Sequence, residues 1–277
     1  MPQAKPIGTI VALCLAPMGL AQQAIVAQTP PAFEAASVKA NNRGGGPYSR
    51  ILPGRFLTTY SSLRDLIAFA YGVRTDQIAE GPPWMASDHY DIEATAAGNH
   101  SVSQIAGAML QSLLEDRFKL VLHRETRQLP VYELTVIKNG LKLQPPKEGN
   151  CAPVSPDSPP KPAASGAPRL PPCGFPRYGP KGLNWTLDGE EVSMMKLAES
   201  LSRVGLGRSV IDKTGLAGSY EMHLKWTADP LNAGPSDDQS GPSLFAALRE
   251  QLGLRLDSAK GPVDVLVIDH AEKPSAN

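Results

Sequence analysis

Asp212-Lys213-Thr214-Gly215 is the segment whose residue types come closest to a reaction centre. An aspartate at a strand end, after the apolar pair Val210-Ile211, could accept a phosphoryl group. The threonine that such a motif carries after its glycine is replaced by Leu216, and no room remains for a nucleotide domain. A turn accounts for the same residues: Asp212 accepts from the backbone, Gly215 takes a positive φ, and the chain reverses. Asp88-His89-Tyr90-Asp91-Ile92-Glu93 offers three carboxylates and a histidine, enough in principle for acid–base chemistry. Asp91 and Glu93 fall on one strand face, however, and no nucleophile accompanies them. His123-Arg124-Glu125-Thr126-Arg127 concentrates charge; it reads as a solvated hairpin between two strands or as a polar recognition surface. Trp84, on the rigid turn Gly81-Pro82-Pro83-Trp84-Met85, either plugs a core edge or stands out as an interface anchor. Trp84, Asp88, Tyr90, Asp91, His123, Arg124 and Arg127 together make the candidate recognition surface, and no residue is assigned a catalytic role.

Other chemistries find less support. There is no G-x-S-x-G, S-x-x-K or H-E-x-x-H, and Gly205-x-Gly207 lacks the third glycine of a dinucleotide loop. His89, His100, His123, His223 and His270 show no i, i+4 pairing and no cysteine partner, so the sequence implies neither a metal site nor a cofactor. Lysine plus arginine total 27 and aspartate plus glutamate total 27, without the basic excess of a nucleic-acid-binding surface.

The elements that must position these residues follow from patterning. Lys5 and the uncharged, mostly apolar run Ile7–Leu20 predict a signal peptide, Met1–Ala21, with Ala27 as the alternative cleavage point. The run is too short to span a bilayer, which takes about 20 residues. Leu13 before Cys14 argues against a lipid anchor, so no stable membrane anchor is expected after cleavage. The mature chain is expected to be exported, periplasmic or extracellular. Twelve prolines between Pro145 and Pro180 predict an extended linker over residues 143–183. Cys151 and Cys173 lie within it; in an oxidising compartment they either pair, closing a loop worth about 3 kcal/mol, or remain two free thiols. A C-x-x-C redox centre is absent.

The linker separates two pieces, residues 33–142 and 184–270, followed by a tail at 271–277. Ser62/Asp65 forms a capping box ahead of an apolar helical face that Gly72 ends, and Ser193 caps a Met194/Leu197/Ala198/Leu201 stripe. Tyr90/Ile92/Ala94 and Tyr220/Met222/Leu224/Trp226 alternate as strands. A second pair of helices, begun by Ser101 and Ser243, sets Leu110/Leu113/Leu120 against Phe245/Leu248/Arg255. Pro130-Val131 and Pro262-Val263 then open the last strands. Each piece reads β-α-β-β-α-β-β, which predicts an α+β protein of two tandem sandwich-like domains, separable by cleavage in the linker. One larger α+β domain with a proline-rich excursion is the alternative.

This order, with its Leu-x-x-Leu helix feeding a strand, resembles the small periplasmic domain of secretins, also found as the signalling domain of TonB-dependent receptors. The mature chain as a whole resembles a family of uncharacterised exported proteins abundant in soil Acidobacteria (domain of unknown function 3738). The resemblance rests on Phe33-Glu34-x-Ala36-Ser37-Val38-Lys39, Gly81-Pro82-Pro83-Trp84, Ser87-Asp88-x-Tyr90-Asp91-Ile92-x-Ala94 and Asp116-Arg117-Phe118. It continues through His123-Arg124-Glu125-Thr126-Arg127-x-Leu129-Pro130-Val131-Tyr132, Asp212-Lys213-Thr214-Gly215-Leu216-x-Gly218-x-Tyr220 and Val263-x-Val265-Leu266-Val267-Ile268-Asp269. It implies export but no particular activity. The expected function is a non-catalytic module that binds an envelope protein through sheet edges or helix faces. An exported hydrolase or thiol-active enzyme with a site between the pieces is the alternative, and convergence of Asp88, His123 and Asp212 in one cleft would favour it.

Overall fold

The computed structural model describes residues 31–98, 100–138, 140–153, 170–182, 184–227 and 241–274. The expected signal peptide at 1–21, the linker core at 154–169 and the tail end at 275–277 lie outside the described residues. The fold is α+β, as the patterning predicts. Its first half comprises β1 (Ala35–Ala40), β2 (Tyr48–Leu52), β3 (Arg55–Ser62), α1 (Leu63–Tyr71), β4 (Ile78–Glu80), α2 (Trp84–Ser87) and β5 (His89–Thr95). It ends with α3 (Val102–Gln104), a π-helical turn (Ile105–Met109), α4 (Leu110–Phe118) and β6 (Val121–Val136). The second half comprises β7 (Arg177–Lys181), β8 (Asn184–Ser193), α5 (Met194–Arg203), β9 (Ser209–Asp212) and β10 (Ser219–Thr227). It closes with α6 (Leu244–Ala247), a π-helical turn (Leu248–Leu252) and β11 (Leu254–His270).

The halves repeat one another in local detail. Strand order is β1-β5-β3-β2 in one sheet and β10-β8-β7 in another, with an isolated bridge from Gln144 to Glu221 on the outer side of β10, where β1 lies beside β5. Ser62 and Ser193 cap α1 and α5 with identical backbone angles, φ −75° and ψ 158°, each accepting from a backbone N–H three residues on. Two residues before each cap stands a non-glycine with positive φ, Tyr60 at 51° and Glu191 at 54°. Both lie in β-bulges, where two residues of one strand oppose one of the next.

The expected linker, residues 143–183, contains the strand β7, and Pro130 and Pro262 fall inside β6 and β11 rather than opening the last strands, because those strands begin directly after the left-handed caps of the preceding helices. Three more details differ from the sequence expectation. His123–Arg127 is no hairpin: it lies inside β6, one strand of 16 residues, because the segment holds no glycine, proline or asparagine to turn on. Second, the repeat of the later helices runs one residue away from the expected register. Lys119 and Gly253 are the equivalent left-handed C-caps, φ 49° and 71°, so Leu120 corresponds to buried Leu254 rather than to exposed Arg255. Phe245, expected in the core, is accordingly 40% exposed, while Leu244 and Leu248 are buried. Only glycine fits at 253, since a Cβ there would stand 2.2 Å from the Gly140 carbonyl oxygen.

Third, the halves share a sheet, ordered β4-β11-β6-β9. The long strands β6 and β11 pair antiparallel from Leu254↔Val136 to Ile268↔Leu122, while β4 joins β11 and β9 joins β6 in parallel. Each half therefore lends a strand to the other's core. Leu266 and Ile268 of β11 pack with Phe56, Leu63, Leu66 and Phe118 of the first half. Leu134 of β6 packs with Met194, Leu197, Met222 and Trp226 of the second. Residues 31–277 form one compact unit. The shared sheet follows from strand length: neither long strand finds enough partners within its own half, and unpaired backbone groups would be left behind.

Candidate functional site

The sequence-named residues fall into three groups: around Trp84 and Asp88, along β6, and at the Asp212 turn. Gly81 has φ +85° and a Cβ there would stand 2.7 Å from Met85 Sδ, so the turn it begins drives Met85 into the core and leaves Trp84 half-buried on its edge. The Lys273 ammonium lies 5.8 Å from the Trp84 ring centroid and 2.7 Å from Asp88 Oδ2. That hydrogen bond holds the Asp88 carboxyl below its usual range. Tyr90 is buried edge-on against Phe118, and burial followed by the nearby Asp88 charge pushes its hydroxyl up. Asp91 faces inward to the β3 bulge, accepting from the Tyr60 N–H at 2.9 Å and from Asn41 Nδ2 at 2.8 Å.

On β6, His123, Glu125 and Arg127 are register partners of Val267, Val265 and Val263, which form a small apolar cluster with Val131. Arg127 bonds Glu125 at 2.8 Å and reaches across β11 to Glu80 at 3.1 Å, so polar side chains lie over that valine stripe. His123 Nδ1 is 2.9 Å from Asp269 Oδ2, and this hydrogen bond raises the imidazole's affinity for a proton. The guanidinium of Arg127 holds Glu125 low. Arg124 is exposed.

Asp212 behaves as a turn residue. Its Oδ1 accepts from the Thr214 N–H at 2.9 Å and hydroxyl at 2.7 Å, the Lys213 N–H donates to the Leu134 carbonyl, and Gly215 takes φ +69°. Asp212 borders a groove of about 410 Å³ with Arg74, Met195, Glu199 and Arg203; neither Asp88 nor His123 lines it. The three residues thus satisfy themselves on separate partners. Cys151 and Cys173 are joined as a disulfide. Among the described residues no helix is long and apolar enough to cross a membrane.

One polar cluster escaped the sequence reading. Glu190, in the β8 bulge, and Glu221 and His223, two apart on β10, bring one ligand atom each within 4.8 Å of one another. His223 Nε2 is 3.2 Å from Glu221 Oε1, and its Nδ1 is 3.0 Å from Asp188 Oδ1. Asp188, with Glu221 in support, raises the His223 pKa, while His223 and Lys147 lower that of Glu221. Glu190 Oε2 is buried without a hydrogen-bond partner. The only sequence signal was the alternation that puts residues 221 and 223 on one strand face.

Comparison with curated proteins and with solved structures returns no match. Residues 64–271, well over half of the 277, match the family model described as "Protein of unknown function (DUF3738)", and the chain belongs to that family.

Proposed function

We propose that the protein is an exported, non-catalytic module of the cell envelope that binds an extended segment of a partner protein by strand addition. The observation that carries this reading is the outer edge of β2. Among the described residues this strand pairs only with β3, and its residues 48–50 are exposed, Tyr48 at 58%. An edge strand presents alternate backbone donors and acceptors to a incoming chain. Tyr48 and Arg50 add the side-chain types that dominate interface energies. The equivalent edge strand β7 carries Gly179 and Pro180, which blunt such pairing, so β2 is the better template. Export is supported by the disulfide and by the leader-like N-terminal run. The separate hydrogen-bond partners of Asp88, His123 and Asp212 speak against the hydrolase alternative.

A photo-crosslinker at Ser49, used in the envelope of the producing cell, tests the reading. One defined adduct is expected, lost in a Tyr48→Ala/Arg50→Glu variant whose melting temperature is unchanged. No adduct, or one indifferent to that variant, would overturn it.

A further inference from the structure

The geometry points to a divalent transition-metal site, of the zinc class, formed by Glu190, Glu221 and His223. It begins in the backbone. The bulge at Gly189–Val192 sets Glu190 and Glu191 opposite Glu221, so a carboxylate from β8 meets the β10 face that carries Glu221 and His223. Arms from either end of the disulfide hold the bulge there. The Glu221 N–H donates to the Gln144 carbonyl at 3.0 Å and the Gly174 N–H to the Glu190 carbonyl at 2.8 Å.

The donor set suits such an ion. One imidazole and two carboxylates are nitrogen and oxygen ligands that zinc accepts in tetrahedral geometry, where neighbouring donors stand about 3.4 Å apart. His223 Nε2 and Glu221 Oε1 are 3.2 Å apart. The Asp188 carboxylate against His223 Nδ1 is the outer-shell contact that aims the opposite nitrogen at a metal. Glu221 keeps only 9% of its side chain exposed, and buried carboxylates call for a cation. Lys147 Nζ supplies one charge at 3.2 Å from Glu221 Oε2, on a side chain that is itself 69% exposed and free to leave. The independent observation is on Glu190: its Oε2 is buried with no hydrogen-bond partner, on a part-buried side chain that brings a carboxylate oxygen within 4.8 Å of two other potential ligand atoms. A carboxylate oxygen in that state lacks a cation or a donor. His223, Glu221 and Glu190 leave a fourth position for water or for a ligand from outside.

Isothermal titration of the chelator-treated mature protein, disulfide intact, with Zn²⁺ tests the site. One equivalent should bind, with Mg²⁺ failing to compete. His223→Ala and Glu190→Gln should abolish binding, and Asp188→Asn should weaken it about tenfold to a hundredfold. His123→Ala, which removes a carboxylate-paired imidazole on another sheet, should leave binding unchanged. Circular dichroism checks that each variant is folded, and the visible spectrum of the Co²⁺-loaded wild type reads coordination without any variant. Absence of binding, binding unchanged in folded His223→Ala, or a Co²⁺ spectrum identical to free aqueous Co²⁺ would overturn the assignment.

Discussion

In the first half, Thr59 and Tyr60 of β3 stand opposite Asp91; in the second, Glu190 and Glu191 of β8 stand opposite Glu221. The backbones match down to the positive φ of Tyr60 and Glu191. The side chains do not. Asp91 is short enough to turn back on the bulge, taking the Tyr60 N–H, while Thr58 and Ser61 share a hydroxyl hydrogen bond at 2.6 Å and Tyr60 stacks on His89 at 3.9 Å. Glu221, one methylene longer, carries its carboxylate along the strand to His223 and Lys147, and Glu190 replaces a threonine with a carboxylate that finds no donor. A duplicated strained turn is closed upon itself in one copy and left with spare ligands in the other. Such strain persists only where the surroundings over-determine it, which is why a bulge of this kind is worth inspecting for function.

The largest effect tests how independent the two halves are. Leu266→Ala empties a β11 position in the first core and should cost about 2–5 kcal/mol. Because β11 also closes the second core, in a Trp84→Phe background the fluorescence of Trp185 and Trp226 should follow the same single urea transition as far-UV circular dichroism; two separated transitions would show the halves to be autonomous. Asp91→Ala should cost about 1–3 kcal/mol, since it orphans the Tyr60 N–H and the Asn41 amide. Glu190→Gln works in the opposite direction. In metal-free protein it alters a part-buried side chain whose Oε2 has no hydrogen-bond partner and should be neutral or stabilising, by up to about 1 kcal/mol. A loss in urea midpoint as large as that of Asp91→Ala would erase the contrast between the bulges.

The smallest effect is electrostatic. Asp269 raises the folded-state pKa of His123, so the pair's contribution is complete below the ordinary histidine value and fades as pH rises through the raised one. The pair is exposed and its contribution is slight. NMR titration should place the His123 midpoint above that of a free histidine, and Asp269→Asn should bring it back down; a midpoint indifferent to the substitution would contradict the pairing.

Much of this architecture was legible in the sequence because it is local. Ser62/Asp65 and Ser193 announce their helices, and the Tyr90 and Tyr220 strands announce themselves by alternation, since caps and pleats act within a few residues. The register of the later helices was misjudged by one because alignment from the amphipathic stripe ignored the αL caps at Lys119 and Gly253 that end them. The shared sheet is a long-range pairing, over 100 residues apart in sequence, and no local pattern encodes it. The Glu190/Glu221/His223 cluster was missed for a related reason. A search for histidines spaced i, i+4 assumes a helix, whereas here two ligands are i, i+2 on a strand and the third comes from a bulge across the sheet.

A crystal of the protein soaked in Zn²⁺ and measured across the zinc absorption edge tests the central contrast most directly. The account predicts one anomalous peak within bonding distance of Glu190, Glu221 and His223, and none at the equivalent Thr59, Asp91 and Glu93. No peak at the second bulge, or peaks at both, would contradict it.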